Sequence, residues 1–461
     1  MTRKIAVVGA SAAGFVQLAS LQLTKYNLYS MFKDDEYVLI HDPDKVYPEM
    51  MSGTNPAFFD GLQVLLNVTK RWMEKYADAK DCHGYKYIGW GQGDKNFQLS
   101  FHSQTAKFFD IEMFRTAMVK DGGKCFGDGV KIIEEKIDSV LINPDAAIIN
   151  GVNYDYVIDC TEKNPLFDSN AYGDPSLRPV NTAIILEKPE AGHWDYCIEY
   201  AGKYGHMTGI PLKSKQLWIY MYDSIHRKDT TDEEIMKDIQ EAFPDDDVST
   251  WKFKKRNWVP RVSNYVICPT TGRYIRNGSS LIDIMPLTAC HHECVHVMCE
   301  SIAMYTHFIH KGGSGIEKIK EHVEETYYEL LAMDYQSHLS FMYMYGSRFD
   351  TKFWKDIKVE ARKFLSQERY LHPAFFPGKP WLDEVLNDEW TDEDYKKLIH
   401  IDNDVDDIGG RQRVVPFVIM NDRTLFSELA TGLGAPYADR FNMLDHCYSP
   451  EEFGTIGYKT Y

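Results

Sequence analysis

The chain has 461 residues, 44% hydrophobic and 26% charged, with a formal net charge of −17. That length supports two or three structural units around a sizeable core. The acidic balance argues against nucleic acid and anionic membrane as partners, because both require basic surface. Nine cysteines without a single C-x-x-C fit reduced thiols better than a disulfide framework. No apolar run reaches the length of a membrane span; VVPFVIM at 414–420 is strand-sized. A cytoplasmic protein is expected.

The chain begins with KIAVVGASAAGF at 4–15. Residues 5–8 are predicted to form a buried strand, and residues 15–23 carry apolar side chains at helical spacing. Between them lies a loop of Gly9, Ser11, Ala12, Ala13 and Gly14, in which Ser11 takes the place of the middle glycine of G-x-G-x-x-G. EYVLIHDPD at 36–44 is a second apolar strand, running into Asp42. Strand, glycine turn, helix, strand and acid follow the order of a Rossmann-type dinucleotide unit. In such a unit the helix N-terminus receives a pyrophosphate and the acid a ribose. A secretion signal would also begin with basic residues before an apolar patch, but four apolar residues before a glycine are too few for one.

Further along, YDYVIDCTEKNP at 154–165 is an apolar strand entering a polar turn, and LWIYMYDS at 217–224 is an aromatic-rich strand. A capping box from Thr231 to Glu234 should start a helix that Pro244 stops. From about 289 the spacing turns helical, and the final third is rich in aromatic residues. The expected fold class is mixed α/β: a Rossmann-type domain with sheet insertions over 1–300, then a mainly helical module over 301–461.

Several stretches, in order, resemble the flavin-dependent halogenases of the tryptophan-halogenase-like type, whose fold is that of the flavin hydroxylases. GASAAGF is similar to that family's nucleotide loop, DCHGYKYIGW at 81–90 to the segment with its catalytic lysine, and YDYVIDCTEKNP to its D-x-x-I-D-C-[ST]-G strand. GHMTGIP at 205–211 resembles the W-x-W-x-I-P motif, and RNGSSLIDIMPLTACHH the flavin-contacting turn. SHLSFMYMYGSRFDTKFWKDI at 337–357 resembles a signature of the helical module, with Arg348, Phe353 and Trp354 in register. A phage-encoded or otherwise divergent member is the nearest type.

The resemblance implies FAD, supplied as FADH2 by a separate flavin reductase, together with oxygen, a halide ion and a small aromatic substrate. It places Lys86 as the catalytic lysine that guides hypohalous acid. Cofactor contacts would come from Gly9, Ser11, Ala12, Ala13, Gly14, Asp42, Thr54, Asp159, Ile284 and Pro286. The halide would sit on the backbone amides of Cys290 and His291, with Thr288 and Ala289 beside the substrate. Only one dinucleotide fingerprint is present, which agrees with a two-component system, and self-association is left open.

The departures are specific. His206 and Thr208 replace both tryptophans of the motif that guards against hydroxylation, so an aromatic hydroxylase is the alternative. Thr288 and Ala289 replace a glutamate–serine pair, Ser279 an aspartate, and His41 the ribose-binding acid, whose role passes to Asp42. A looser pocket should favour bromide or iodide over chloride, since a site holding its reactants less tightly loses the hardest oxidation first. HECVH at 292–296 also matches the zincin pattern H-E-x-x-H. No third histidine follows at metzincin spacing, so helix packing is the expected role and a zinc metallopeptidase the remote alternative.

Overall fold

In the computed structural model, described residues are 3–27, 35–43, 63, 66, 68–91, 96–100, 106–126, 130–161, 165–173, 175, 177–225, 230–284, 290–308, 314–327, 339, 342–343, 345–347 and 349–365, with the backbone alone for 23–27, 121–125, 290–297, 308, 314–316 and 362–365. The apolar strand Lys4–Val8 pairs in parallel with Glu36–His41 on one side and Tyr156–Asp159 on the other. Ile5, Ala6 and Val7 are fully buried, as the central strand of a sheet covered on both faces must be. Tyr274–Arg276 and Val130–Glu134 complete a five-stranded parallel sheet at its two edges. Helix Ala12–Asn27 follows the first strand and packs on helices Ile111–Phe126 and Cys290–Phe308. The opposite face of the sheet carries a three-stranded antiparallel meander, whose Ile142, Ala147, Ile149 and Tyr154 join Val8, Val38 and Ile40 in one apolar cluster.

A seven-stranded sheet forms the second layer. Its order runs Lys252–Asn257, Thr182–Lys188, Gln216–Tyr222, Gly205–Pro211, Cys197–Ala201, Gly84–Ile88, Phe97–Ser100. Only the pair Cys197–Ala201 and Gly84–Ile88 is parallel. Side-chain alternation gives this sheet two distinct faces. The inner face presents Tyr85, Tyr87, Ala201, Ile219 and Met221 to the same core as Phe15 and Leu18 of the first helix. The outer face presents Ile184, Leu186, Met207, Trp218 and Tyr220 to helix Asp232–Ala242. That helix begins at the expected capping box: Glu234 N–H donates to Thr231 Oγ1 at 3.2 Å and Thr231 N–H to Glu234 Oε2 at 2.8 Å. It ends two residues before Pro244, whose ring cannot continue it.

Most expected elements form with shifted ends. The second strand stops at His41 rather than 44, and the 154–165 strand is Tyr156–Asp159. The expected helical stretch after 289 opens as Cys290–Phe308, which runs across the expected unit boundary at 300. Met298, Cys299, Ile302 and Ala303 on this helix share one core cluster with Phe15 and with Phe353 and Trp354 of helix Lys352–Leu365. Among the described residues no helix is long and apolar enough to cross a membrane.

Candidate functional site

The loop after the first strand is closed by its own backbone. Gly9 has φ +111°, and a Cβ there would lie 2.6 Å from the Cys160 carbonyl oxygen. A Cβ on Gly14 would lie 1.9 Å from Gly9 O, so helix and turn meet at a distance only glycine permits. Ser11 explains how the loop survives without its middle glycine. Its hydroxyl donates to Cys160 O at 3.0 Å and accepts from Gly14 N–H at 3.1 Å, tying the turn to the neighbouring strand.

Two further segments meet this loop. Asn277 N–H donates to Asp159 O at 2.9 Å, and Ser280 Oγ donates to the same carbonyl. The short 3-10 turn Gly278–Ser280 carries Ser279, and Gly278, at φ +61°, approaches so closely that its Cβ would lie 2.6 Å from that of Ala13. A buried polar network locks the junction: Asn277 Nδ2 donates to Gln17 Oε1 at 2.9 Å and lies 3.1 Å from Cys299 Sγ. Sequence reading missed this network, since Gln17 and Cys299 look like ordinary helix residues until the fold joins them.

The structure thus gathers Gly9, Ser11, Ala12, Ala13, Gly14, Ser279 and the backbone of Asp159. The Asp159 side chain is a different matter. Its carboxylate is fully buried and accepts from Thr161 N–H at 2.8 Å, Leu166 N–H at 2.9 Å, and the hydroxyls of Thr161 and Tyr274. It organises its own turn. Asp42 lies one residue past the second strand, with its carboxylate accepting from Ile137 N–H at 3.3 Å. Ile284 is buried and its carbonyl accepts from Trp258 Nε1 at 2.7 Å. Helix Cys290–Phe308 starts at the expected residue, so the Cys290 and His291 amides are in its first turn, where an anion is favoured. Thr54, Pro286, Thr288, Ala289 and Arg348 lie outside the described residues, as do the HECVH side chains.

Lys86 is not brought to this junction. It is paired with Ile198 across the parallel strands, and Ile198 packs against the outer-face cluster. Its Nζ lies 5.0 Å from the centroid of the Tyr196 ring. The inner positions of this segment are Cys82, Tyr85 and Tyr87. Cys82 belongs to the separate strand Lys80–Cys82, and ordinary alternation along Gly84–Ile88 sets Lys86 opposite Tyr85 and Tyr87; at the strand's start Gly84, with φ +146° and a built Cβ 2.0 Å from Leu99 O, admits only glycine. The Lys86 amine therefore lies on the face of the sheet opposite Tyr85 and Tyr87. Burial pushes the Cys82 thiol up to about 12, so it is neutral. Lys80 donates to the carbonyls of Gly192 and Trp194 at 2.8 and 2.6 Å, and buried Lys107 is ion-paired with Asp81.

Both replaced tryptophan positions lie on the inner face and both are polar and fully buried. Thr208 Oγ1 donates to Glu199 Oε2 at 2.9 Å, with Glu199 itself fully buried. His206 Nδ1 lies 2.8 Å from Tyr343 OH. Burial alone pushes the His206 imidazole down to about 3, so it is neutral. Its ring neighbours are Trp90 and Tyr343, with Trp354 against both of these. Glu199 was the missed signal: a lone acid in the otherwise uncharged strand CIEYA.

No protein-family model matches the chain, and no curated protein matches it. Solved structures do. A tryptophan 6-halogenase from Streptomyces toxytricini is 13% identical with a TM-score of 0.67, over 99% of both chains. A tryptophan halogenase from Shewanella frigidimarina is 13% identical with a TM-score of 0.66, over 97% of this chain and 98% of its own. The peptidyl tryptophan dihydroxylase QhpG is 12% identical with a TM-score of 0.57, over 78% of this chain and 79% of its own. From its nucleotide loop to the second sheet laid against it, the chain has the fold of the flavin-dependent halogenases.

Proposed function

We propose that the protein is a flavin-dependent halogenase that uses FADH2, oxygen and a halide to halogenate small electron-rich aromatics through hypohalous acid. The observation that carries this reading is the full-length likeness in fold to two tryptophan halogenases. The loop fits a dinucleotide in its backbone: strand, glycine turn and helix N-terminus meet with no side chain between Gly9 and Gly14. It is also covered, for Ala10 and Ser11 are 0% exposed and Ala12 and Ala13 are 5% and 4%.

Bound FADH2 would supply, with oxygen, the oxidising equivalent that converts halide to hypohalous acid. The protein's own part is to hold the ends of that path. The first-turn amides of helix Cys290–Phe308 would hold the reacting halide, because free N–H groups and the helix dipole both favour an anion. The aromatic inner face of the seven-stranded sheet keeps water away. No lysine step through Lys86 is included. A separate reductase is part of the proposal, supported by the single dinucleotide fingerprint.

The test is incubation with a flavin reductase, NADH, and chloride, bromide or iodide in turn, with phenols and indoles as substrates, read by mass spectrometry. Halogenated products that favour bromide or iodide over chloride, at the most electron-rich carbon, are expected. Oxygenated products independent of halide would establish the second reading, an aromatic hydroxylase. That alternative is favoured by the absence of both guarding tryptophans at His206 and Thr208 and by the likeness to a dihydroxylase. Absence of any product with coupled reductase would overturn both.

A further inference from the structure

The face of the parallel sheet that carries the antiparallel meander also holds a cleft of about 410 Å³. Alternation explains its walls. On the edge strand Lys131 and Ile133 stand in register with Val38 and Ile40, so all four point toward the meander. Ile133 and Ile40 line the cleft from the sheet, and Ile149, Val152 and Tyr154 line it from the meander. Ile40, Ile149 and Tyr154 are buried in one apolar cluster, whereas Val152 is 41% exposed. The cleft is therefore apolar within and reaches solvent beside Val152.

The charges of its lining are unequal. Lys4 and Lys131 bring two ammonium groups, and Glu135 brings one carboxylate. That carboxylate is already engaged, because Asn150 Nδ2 donates to it. Among the described residues neither lysine forms an ion pair. Lys4 Nζ instead lies 5.0 Å from the centroid of the Tyr154 ring, which holds an ammonium against an aromatic wall of the cleft. Glu36, the strand neighbour of Lys4, is exposed and outside the lining. The lining is thus net positive in a chain of net charge −17.

These features define the chemistry of a ligand. The volume is in the range of small-molecule sites, roughly 300–1,000 Å³. A slot between β-layers, which pack about 10 Å apart, suits a flat body. Isoleucine and valine suit the faces of that body, and an anionic group suits the lysines. Inorganic phosphate would leave the apolar walls wet, and a neutral arene would leave both ammonium groups unanswered.

We propose that this cleft binds a small aromatic carboxylate of one or two rings, with its carboxylate on Lys4 and Lys131 and its rings between Ile133 and Ile149. The cleft lies across the sheet from helix Ala12–Asn27 and needs no flavin, so the site stands apart from the halogenase reading.

The probe is 6-bromo-2-naphthoate, and isothermal titration calorimetry of the full chain should show saturable binding. The matching amide and the matching naphthylmethylammonium should bind at least about tenfold more weakly, since each loses a charge-assisted hydrogen bond. Lys131→Gln, at an exposed position, and Lys4→Gln should each weaken the acid about tenfold and leave the amide unchanged. In crystals soaked with the acid, a bromine anomalous peak should lie in the cleft against Ile133 and Ile149. No saturable binding up to about 1 mM, equal affinity for the ammonium, or full affinity in both lysine variants would overturn the proposal. A bromine peak only outside the cleft would overturn it as well.

Discussion

Single residues decide the chemistry here, and His206 is the clearest case. Its imidazole is driven down to about 3 by burial, against about 6.5 in an unfolded chain. Below that unfolded value the unfolded state binds a proton that the folded state refuses, so acid favours unfolding. The folded state should lose up to about 1.4 kcal/mol per pH unit through this one group as pH falls from ~6.5 toward the folded value. Denaturant titrations in halide-free buffer should show that slope, and His206→Gln should flatten it. Lys86 gives the opposite kind of prediction. With its amine over Tyr196 on the outer face, Lys86→Met should retain at least about half of the product, a change under ~0.5 kcal/mol in barrier. A hundredfold loss in the halogenation assay would mean that the segment turns over before the reaction.

At the scale of elements, the loop between the first strand and first helix carries the tightest constraint. A Cβ on Gly14 would sit 1.9 Å from Gly9 O, a backbone atom that cannot step aside. Gly14→Ala should therefore lower unfolding free energy by about 3 kcal/mol, at the upper end for overpacking, measured by urea denaturation. An unchanged midpoint would show that the turn can open at little cost. The same closure bears on cofactor loading. With Ala10 and Ser11 fully buried, FAD should bind slowly and incompletely, giving purified protein with sub-stoichiometric flavin absorbance. Stopped-flow mixing with FAD should show a rate that levels off as FAD rises, the sign of an opening step before binding. A rate rising linearly with FAD throughout would mean that the loop is already open.

Over the whole molecule, one core joins the parallel sheet, the inner face of the seven-stranded sheet and the helices after 290. Loss of one part should be felt by all, so thermal unfolding of the described body should be a single transition rather than two. No second dinucleotide fingerprint is present, and NADH alone should give no turnover without a reductase. The HECVH stretch lies in helix Cys290–Phe308; chelator treatment should leave activity unchanged, and metal analysis should find less than one zinc per chain. Stoichiometric zinc lost on His292→Ala, with peptide cleavage, would promote the metallopeptidase instead.

The sequence by itself determined what is local. Residues 4–15 and 36–42 specified strand, turn, helix and strand because apolar period, glycine and chain order are written in consecutive residues. Thr231 and Glu234 announced their capping box for the same reason. Even the family likeness was legible as a series of short stretches in order, although at 13% identity no single one carries it. What only the tertiary structure decided is which face a residue takes and what it meets there. For Lys86, only the pairing of its strand with Cys197–Ala201 decides that Tyr85 and Tyr87 face the common core and the amine the other side. The partners of the Asp159 carboxylate, residues 161, 166 and 274, are likewise brought to it only by the fold. Trp90, His206, Tyr343 and Trp354 are scattered over 265 positions of the chain and meet only when sheet and helices pack. Alternation along a strand is a local rule, but which of its two faces meets the core is decided only by the strands and helices packed against it.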